Sequence, residues 1–111
     1  LNELSLLYPT ASVFTNQLGH MYFHLYMPDI AINYYLKSIE LEPQIKIYKN
    51  SLSSLYLEQA MYKEALEIYT ELLEDNYIEI IKIDEYIKKS YPEFHKTDEY
   101  NQWKLNNNLK Y

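Results

Sequence analysis

The chain of 111 residues has no cysteine, no arginine and a single glycine, Gly19. Without cysteine there is no disulfide, no thiolate-bound zinc and no thiol nucleophile, a composition that suits a reducing compartment. Without arginine the chain lacks the side chain best shaped for two-point contact with phosphate or a base edge. Its net charge of -6, with a pI near 5.0, also repels a phosphate backbone. Nucleic acid is therefore not expected as a partner. One glycine cannot make a Gly-rich phosphate loop, and no Ser-His-Asp order or Cys-His pair can be read. No catalytic residue is assigned, and no enzyme activity is expected of these residues. Apolar runs stay well below the ~18 residues of a membrane span, and no signal peptide pattern is visible. The expectation is a soluble, cytoplasmic chain with no membrane partner, with a targeting segment upstream of Leu1 left open.

What the chain does have is an internal repeat. Leu18, Gly19, Tyr22, Ala31, Tyr35 and Ile39 return thirty-four residues later as Leu52, Ser53, Tyr56, Ala65, Tyr69 and Leu73, in order and without insertion. A period of this size marks stacked supersecondary units that cannot bury their apolar faces singly. Between Ser12 and Tyr26, apolar residues at Phe14, Leu18, Met21, Tyr22 and Leu25 follow the spacing of a helix with one buried stripe. Met27, Pro28 and Asp29 interrupt it. Proline and aspartate suit a first helical turn, and a second helix is expected to about Leu41, closed by Pro43. The same pair recurs from Ile47 to Leu73 with a break near Gln59 to Met61.

The expected organisation is all-α, with antiparallel helix-turn-helix repeats stacked as a right-handed α-solenoid. Residues 1–9 have the register of the end of a preceding helix, since Pro9 lies thirty-four before Pro43. The first full repeat spans 10–43 and the second 44–76. A capping helix covers 77–91, and 92–111 reads as a polar, Asn-rich tail with too few apolar residues to order itself, with Phe94 or Trp103 as the residues that would pin it. The chain thus reads as the C-terminal portion of a longer array.

These residues resemble the tetratricopeptide repeat, through Leu18-Gly19-x2-Tyr22, Ala31-x3-Tyr35 and Pro43 in the first unit, and Leu52-Ser53-x2-Tyr56 and Ala65-x3-Tyr69 in the second. Thr15 and Lys49 stand where the family commonly has a large aromatic, Ser53 replaces its glycine, and Tyr77 stands where its proline is expected. The resemblance implies a concave groove, lined by the first helix of each pair, that takes an extended peptide or a partner helix, with no common catalytic activity. It places Val13, Asn16, Gln17, His20, Phe23 and His24 on the groove wall, followed by Ile47, Asn50, Ser54, Leu57 and Glu58. Asp84 and Glu85, with Lys88, join them if the third helix continues the series. Where family members that clamp a terminal carboxylate have a basic side chain and an asparagine, this chain has Asn16 and His20, and Ser51 replaces their next asparagine, so that specialisation is not expected.

Other constellations have plainer readings. His20 and His24, with Glu58 opposite, have metal-ligand spacing, yet two histidines in a polar groove more simply contact a peptide, and no metal or cofactor is assigned. Tyr22, Tyr35, Tyr56 and Tyr69 fall at packing positions rather than on a stacking platform. Glu64, Glu67, Glu71 and Glu74 read as the wet side of a helix. Asp84 and Glu85 suggest a groove end that prefers a basic peptide. The leading reading is a protein-protein interaction module or scaffold. The alternatives are a non-catalytic C-terminal appendage of an enzyme, a hydrolase or transferase whose active site lies upstream, and self-association through an incomplete repeat exposing Leu1, Leu4 and Leu7.

Overall fold

The computed structural model describes residues 11–108. The expectations for residues 1–9, including self-association through Leu1, Leu4 and Leu7, lie outside the described residues, as does the end of the tail. Among the described residues the structure is all-helical, in the order α1 (Ala11–His24), α2 (Pro28–Leu41), α3 (Lys46–Glu58), α4 (Tyr62–Glu74), α5 (Ile80–Ser90), α6 (Pro92–His95) and α7 (Asp98–Asn108). No helix among them is long and apolar enough to cross a membrane. α1 packs on α2, α3 on α4, and α2 on α3, contacts compatible with a helical repeat.

Helix starts and stops follow local chemistry. Pro28 and Pro92 open α2 and α6, where the missing N–H costs no helical hydrogen bond. Asp29 and Glu64 occupy first turns and Lys88 and Lys89 a last turn, each complementing the helix dipole. The turns between paired helices repeat with the sequence. Tyr26 and Ala60, thirty-four residues apart, both take φ of 59°. At each, two bonds close the helix end: Met27 N to Tyr22 O at 3.0 Å with Tyr26 N to Phe23 O at 3.1 Å, then Met61 N to Tyr56 O at 2.8 Å with Ala60 N to Leu57 O at 3.1 Å. This pattern is a Schellman motif, here built without glycine. Asn76, at φ 56°, closes α4 in the same way.

The repeat also dictates packing. Ala31 and Ala65 are fully buried, the small side chains that let helices approach closely. Gly19 faces the Tyr35 ring so closely that a Cβ there would lie 2.6 Å from a ring carbon. Two clusters form the core. Ala31, Tyr35, Leu52 and Leu55 join the first pair to the second. Leu57, Ala65, Leu66, Tyr69, Leu72 and Leu73 continue into Ile83, Ile87, Phe94 and Tyr100.

The polar tail expected at 92–111 is corrected over its described part. Residues 92–108 carry α6 and α7, with Phe94 and Tyr100 buried. Few residues anchor them, but each is large and has a polar partner or a ring neighbour. Phe94 stacks on Tyr62 at 4.0 Å, Trp103 Nε1 donates to Thr70 Oγ1 at 2.9 Å, and Tyr100 OH donates to Asp84 Oδ1 at 2.6 Å. A window average misses this, because aromatic burial is concentrated in a few side chains. α7 ends thirty-four residues after α4, so the helix at 77–91 is followed by a partner rather than closing the chain.

Candidate functional site

Residues of α1 and α3 line a shared cleft, together with Tyr35 of α2 and Tyr86 of α5. The polar face of α1 carries Asn16, His20 and His24 at intervals of four, so their side chains share one side of the helix. His20 Nδ1 is 2.6 Å from Tyr35 OH, and His20 Nε2 is 3.2 Å from Asn16 Nδ2. The Tyr35 ring meets the imidazole edge-on at 5.3 Å. Burial and the neighbouring His24 hold His20 below the usual histidine pKa. Its imidazole is therefore neutral at pH 7, one nitrogen donating and the other accepting. Burial pushes Tyr35 up to about 12, so its hydroxyl keeps its proton.

The cleft has a volume of about 350 Å³ and is lined by His20, Phe23, His24, Tyr35, Asn50, Ser51, Ser54, Leu55, Glu58 and Tyr86. A neighbouring cavity of about 560 Å³ shares Phe23, His24 and Glu58 and extends past Tyr26, Pro28 and Gln59. Phe23 and Leu55 provide the apolar floor. Asn50, Ser54 and the two histidines provide donors and acceptors, and Glu58 supplies the carboxylate. Tyr91 OH donates to Glu58 Oε2 at 3.2 Å, which fixes that carboxylate from α5's end, and Tyr86 stands edge-on to Tyr91 at 5.9 Å. Burial first, then the neighbouring Tyr86 and Glu58, raise the Tyr91 pKa. Both His20 ring nitrogens already have partners, and among the described residues no group of three His, Asp or Glu side chains is arranged to hold a metal ion.

Six of the residues named from the sequence, His20, Phe23, His24, Asn50, Ser54 and Glu58, come together on this cleft. Asn16 sits beside it, bonded to His20, whereas Val13, Gln17 and Ile47 lie outside its lining. Two placements are corrected. Leu57, expected on the wall, is 1% exposed and belongs to the C-terminal core cluster, because its side of α3 faces away from the cleft. Asp84 also turns away. Its Oδ1 takes hydrogen bonds from Tyr100 OH at 2.6 Å, His95 Nε2 at 3.0 Å and Lys104 Nζ at 3.3 Å, so it ties α5 to α6 and α7. Glu85 is exposed beside Lys82 at 3.8 Å and does not line the cleft. The acidic groove end is thus replaced by Glu58 alone among the cleft's carboxylates.

Sequence reasoning missed Tyr35, Ser51, Leu55 and Tyr86 as lining residues. Tyr35 falls at a packing position of the repeat, and both Tyr35 and Leu55 are buried, yet each also lines the cleft. Tyr86 holds the repeat position of Leu52, so the register alone points it into a core. It is instead 38% exposed and lines the cleft. No protein-family model matches the chain, and neither a characterised protein nor a solved structure matches it.

Proposed function

We infer that this chain is a tetratricopeptide-like interaction module, its helix pairs stacked as a right-handed solenoid, that holds a peptide or partner helix in the cleft between α1 and α3. The observation that carries this reading is the mixed lining of one continuous hollow: apolar Phe23 and Leu55 beside an amide, hydroxyls, two imidazoles and one carboxylate. Its size lies within the range of about 300–1,000 Å³ common for ligand sites. A bound segment would place one apolar side chain against Phe23 and Leu55 while Asn50 donates to and accepts from its backbone. Neutral His20, held by Tyr35, offers direction without charge. Micromolar affinity needs only about 8 kcal/mol, which a few buried anchors supply. The cysteine-free composition supports a cytoplasmic setting for such a scaffold.

The test is selection from a displayed library of random peptides, followed by calorimetry with the winners. Phe23→Ala and Asn50→Ala are each expected to weaken the selected peptides by at least about tenfold, since each removes an anchor worth roughly 1.4 kcal/mol or more, with helicity unchanged. Selected peptides that bind both variants as tightly as the parent would remove the cleft from the reading.

A further inference from the structure

Tyr26 closes α1 at φ 59°, a left-handed conformation that side chains other than glycine and asparagine seldom adopt. Its ring is 91% exposed, so burial of that ring contributes almost nothing to the fold. The equivalent turn thirty-four residues later has the same φ and manages with the methyl of Ala60. Ala60 is exposed although a whole repeat precedes it, so stacking of repeats does not cover this turn. The Tyr26 ring lines the cavity of about 560 Å³ together with Phe23, His24, Pro28, Glu58 and Gln59. Glu58 is the one carboxylate there, oriented by Tyr91 OH at 3.2 Å from its Oε2. Ion pairs among the described residues engage Asp75, Glu71, Glu85, Asp84 and Glu93, and none reaches Glu58. No lysine lines the cavity. An oriented carboxylate without a cation thus shares one hollow with two aromatic rings and a proline ring.

We propose that this cavity is an arginine pocket, which takes a guanidinium side chain of a bound peptide against Tyr26 and Phe23 with its head on Glu58. The proposal rests on the reading of the α1–α3 cleft as a peptide site and names the side chain that such a peptide places beside Glu58. A guanidinium is planar, stacks on aromatic faces and forks onto a carboxylate, and the lining offers a surface for each of these contacts. Its methylene stem needs apolar walls, which Phe23 and Pro28 supply. Glu58 keeps acceptor capacity for it, since a carboxylate has about four lone-pair sites and Tyr91 takes one. A lysine ammonium would meet the charge without the fork or the stacking plane. The arginine has to come from another protein, because none of the 111 residues of this chain is one. The net charge of -6 adds a field that draws a basic peptide towards the pocket.

The experiment selects peptides on the full chain from a displayed random library and remakes the winners by synthesis, with citrulline, the neutral isostere, or lysine in place of arginine. Affinities are read by calorimetry near pH 8, which keeps imidazolium charge out of the comparison. The winners are expected to share one arginine. Citrulline at that place should weaken them at least about tenfold, and lysine about threefold or more. Tyr26→Ala and Glu58→Gln should each weaken the arginine peptides at least about fivefold with helical circular dichroism intact, and Glu58→Gln should bind the arginine and citrulline forms nearly alike. Tyr26→Ala installs the side chain that the second turn already carries at the same φ, so the fold is expected to tolerate it. Winners without a shared arginine that still weaken in Phe23→Ala and Asn50→Ala overturn the proposal and leave the cleft reading in place. Citrulline forms that bind as tightly as the arginine forms also overturn it. An arginine preference that survives both Tyr26→Ala and Glu58→Gln overturns it in favour of attraction to the net charge alone. N-acetylarginine amide binding as tightly as the peptides overturns it in favour of a small free ligand. A citrulline penalty that disappears in the Tyr26 and Glu58 variants but is indifferent to Asn50→Ala supports the pocket and removes the cleft. A library that yields no winners overturns both.

Discussion

The first two helix pairs and the third solve the same packing problem with different materials. In the former, α1 to α4, helices approach over Gly19, Ala31, Ser53 and Ala65, all fully or almost fully buried, and the connecting turns share one backbone conformation at Tyr26 and Ala60. The third pair, α5 and α7, has no small residue at the crossing. It inserts α6 and fills the space with Phe94, Tyr100 and Trp103, whose rings contact one another at 5.3 and 5.8 Å. Where the repeat supplies close backbone approach, dispersion contacts and burial suffice. Where it does not, large rings reach across, and their polar atoms then need partners, which Asp84 and Thr70 provide. The lesson is that a repeat motif can fade from the sequence while its helical positions persist.

The largest expected effect breaks the third pair alone. Tyr100→Ala removes a fully buried ring and leaves Asp84 short of its closest donor, so a loss of about 3–5 kcal/mol is expected. Trp103, the only tryptophan, lies in α7 and reports that loss by fluorescence, while circular dichroism follows the helices as a whole. Coincident transitions for both probes in urea would show that the two regions unfold as one.

Next in size is a pair of substitutions that sharpens the contrast between first and second repeats. Gly19→Ala pushes a methyl into the Tyr35 ring, which is buried and bonded to His20 and so cannot swing away, at a cost of about 1–3 kcal/mol. Ser53→Ala, at the equivalent place, already has room for a Cβ and loses the hydroxyl's bonds to Asn50 O and to the Tyr69 side chain, about 1 kcal/mol. Chemical denaturation of both variants checks the order.

Ala60→Gly works in the opposite direction. Alanine at φ 59° bears the left-handed penalty of about 1–2 kcal/mol that glycine avoids, and some of this gain is returned as unfolded-chain entropy. A net stabilisation of about 1 kcal/mol is expected, read as a rise in melting temperature.

The smallest effect is a pH dependence confined to the third pair. Burial pushes the Asp84 pKa up, but hydrogen bonds from Tyr100, Lys104 and His95 and the Lys104 charge outweigh it and hold the group below its ordinary 3.8. A carboxylate depressed in the folded state contributes stability that is full above its ordinary value and is lost as pH falls through the folded one. The Trp103 signal should therefore become less heat-stable between pH 5 and the acid side of 3.8, and Asp84→Asn should flatten that slope. His20, held low by burial and by His24, adds stability above its ordinary 6.5 that declines as pH falls below it, a change the Trp103 probe should not single out.

Much of this was legible in the sequence where side chains repeat. Ala31, Ala65 and Gly19 announced the close crossings, Pro28 the start of α2, and the polar row His20, His24, Asn50, Ser54 and Glu58 the cleft between α1 and α3. α7 was not legible as a helix, because four asparagines and several charges hide the few aromatics that anchor it. Leu57 and Asp84 were misplaced for a related reason. The repeat fixes a residue's angular position on its helix, but the side chains across from it decide whether that position faces a cleft or a core. Across from Leu57 lies the C-terminal cluster, and across from Asp84 lie Tyr100, His95 and Lys104.

The most direct test of the binding role is an NMR titration of the labelled full chain with a peptide selected on it. The largest amide shifts are expected at His20, Asn50, Ser54 and Glu58, and they should vanish in Asn50→Ala. Shifts confined to the outer faces of α2 and α4, with those four residues silent, would contradict the account and make the α1–α3 cleft a bystander.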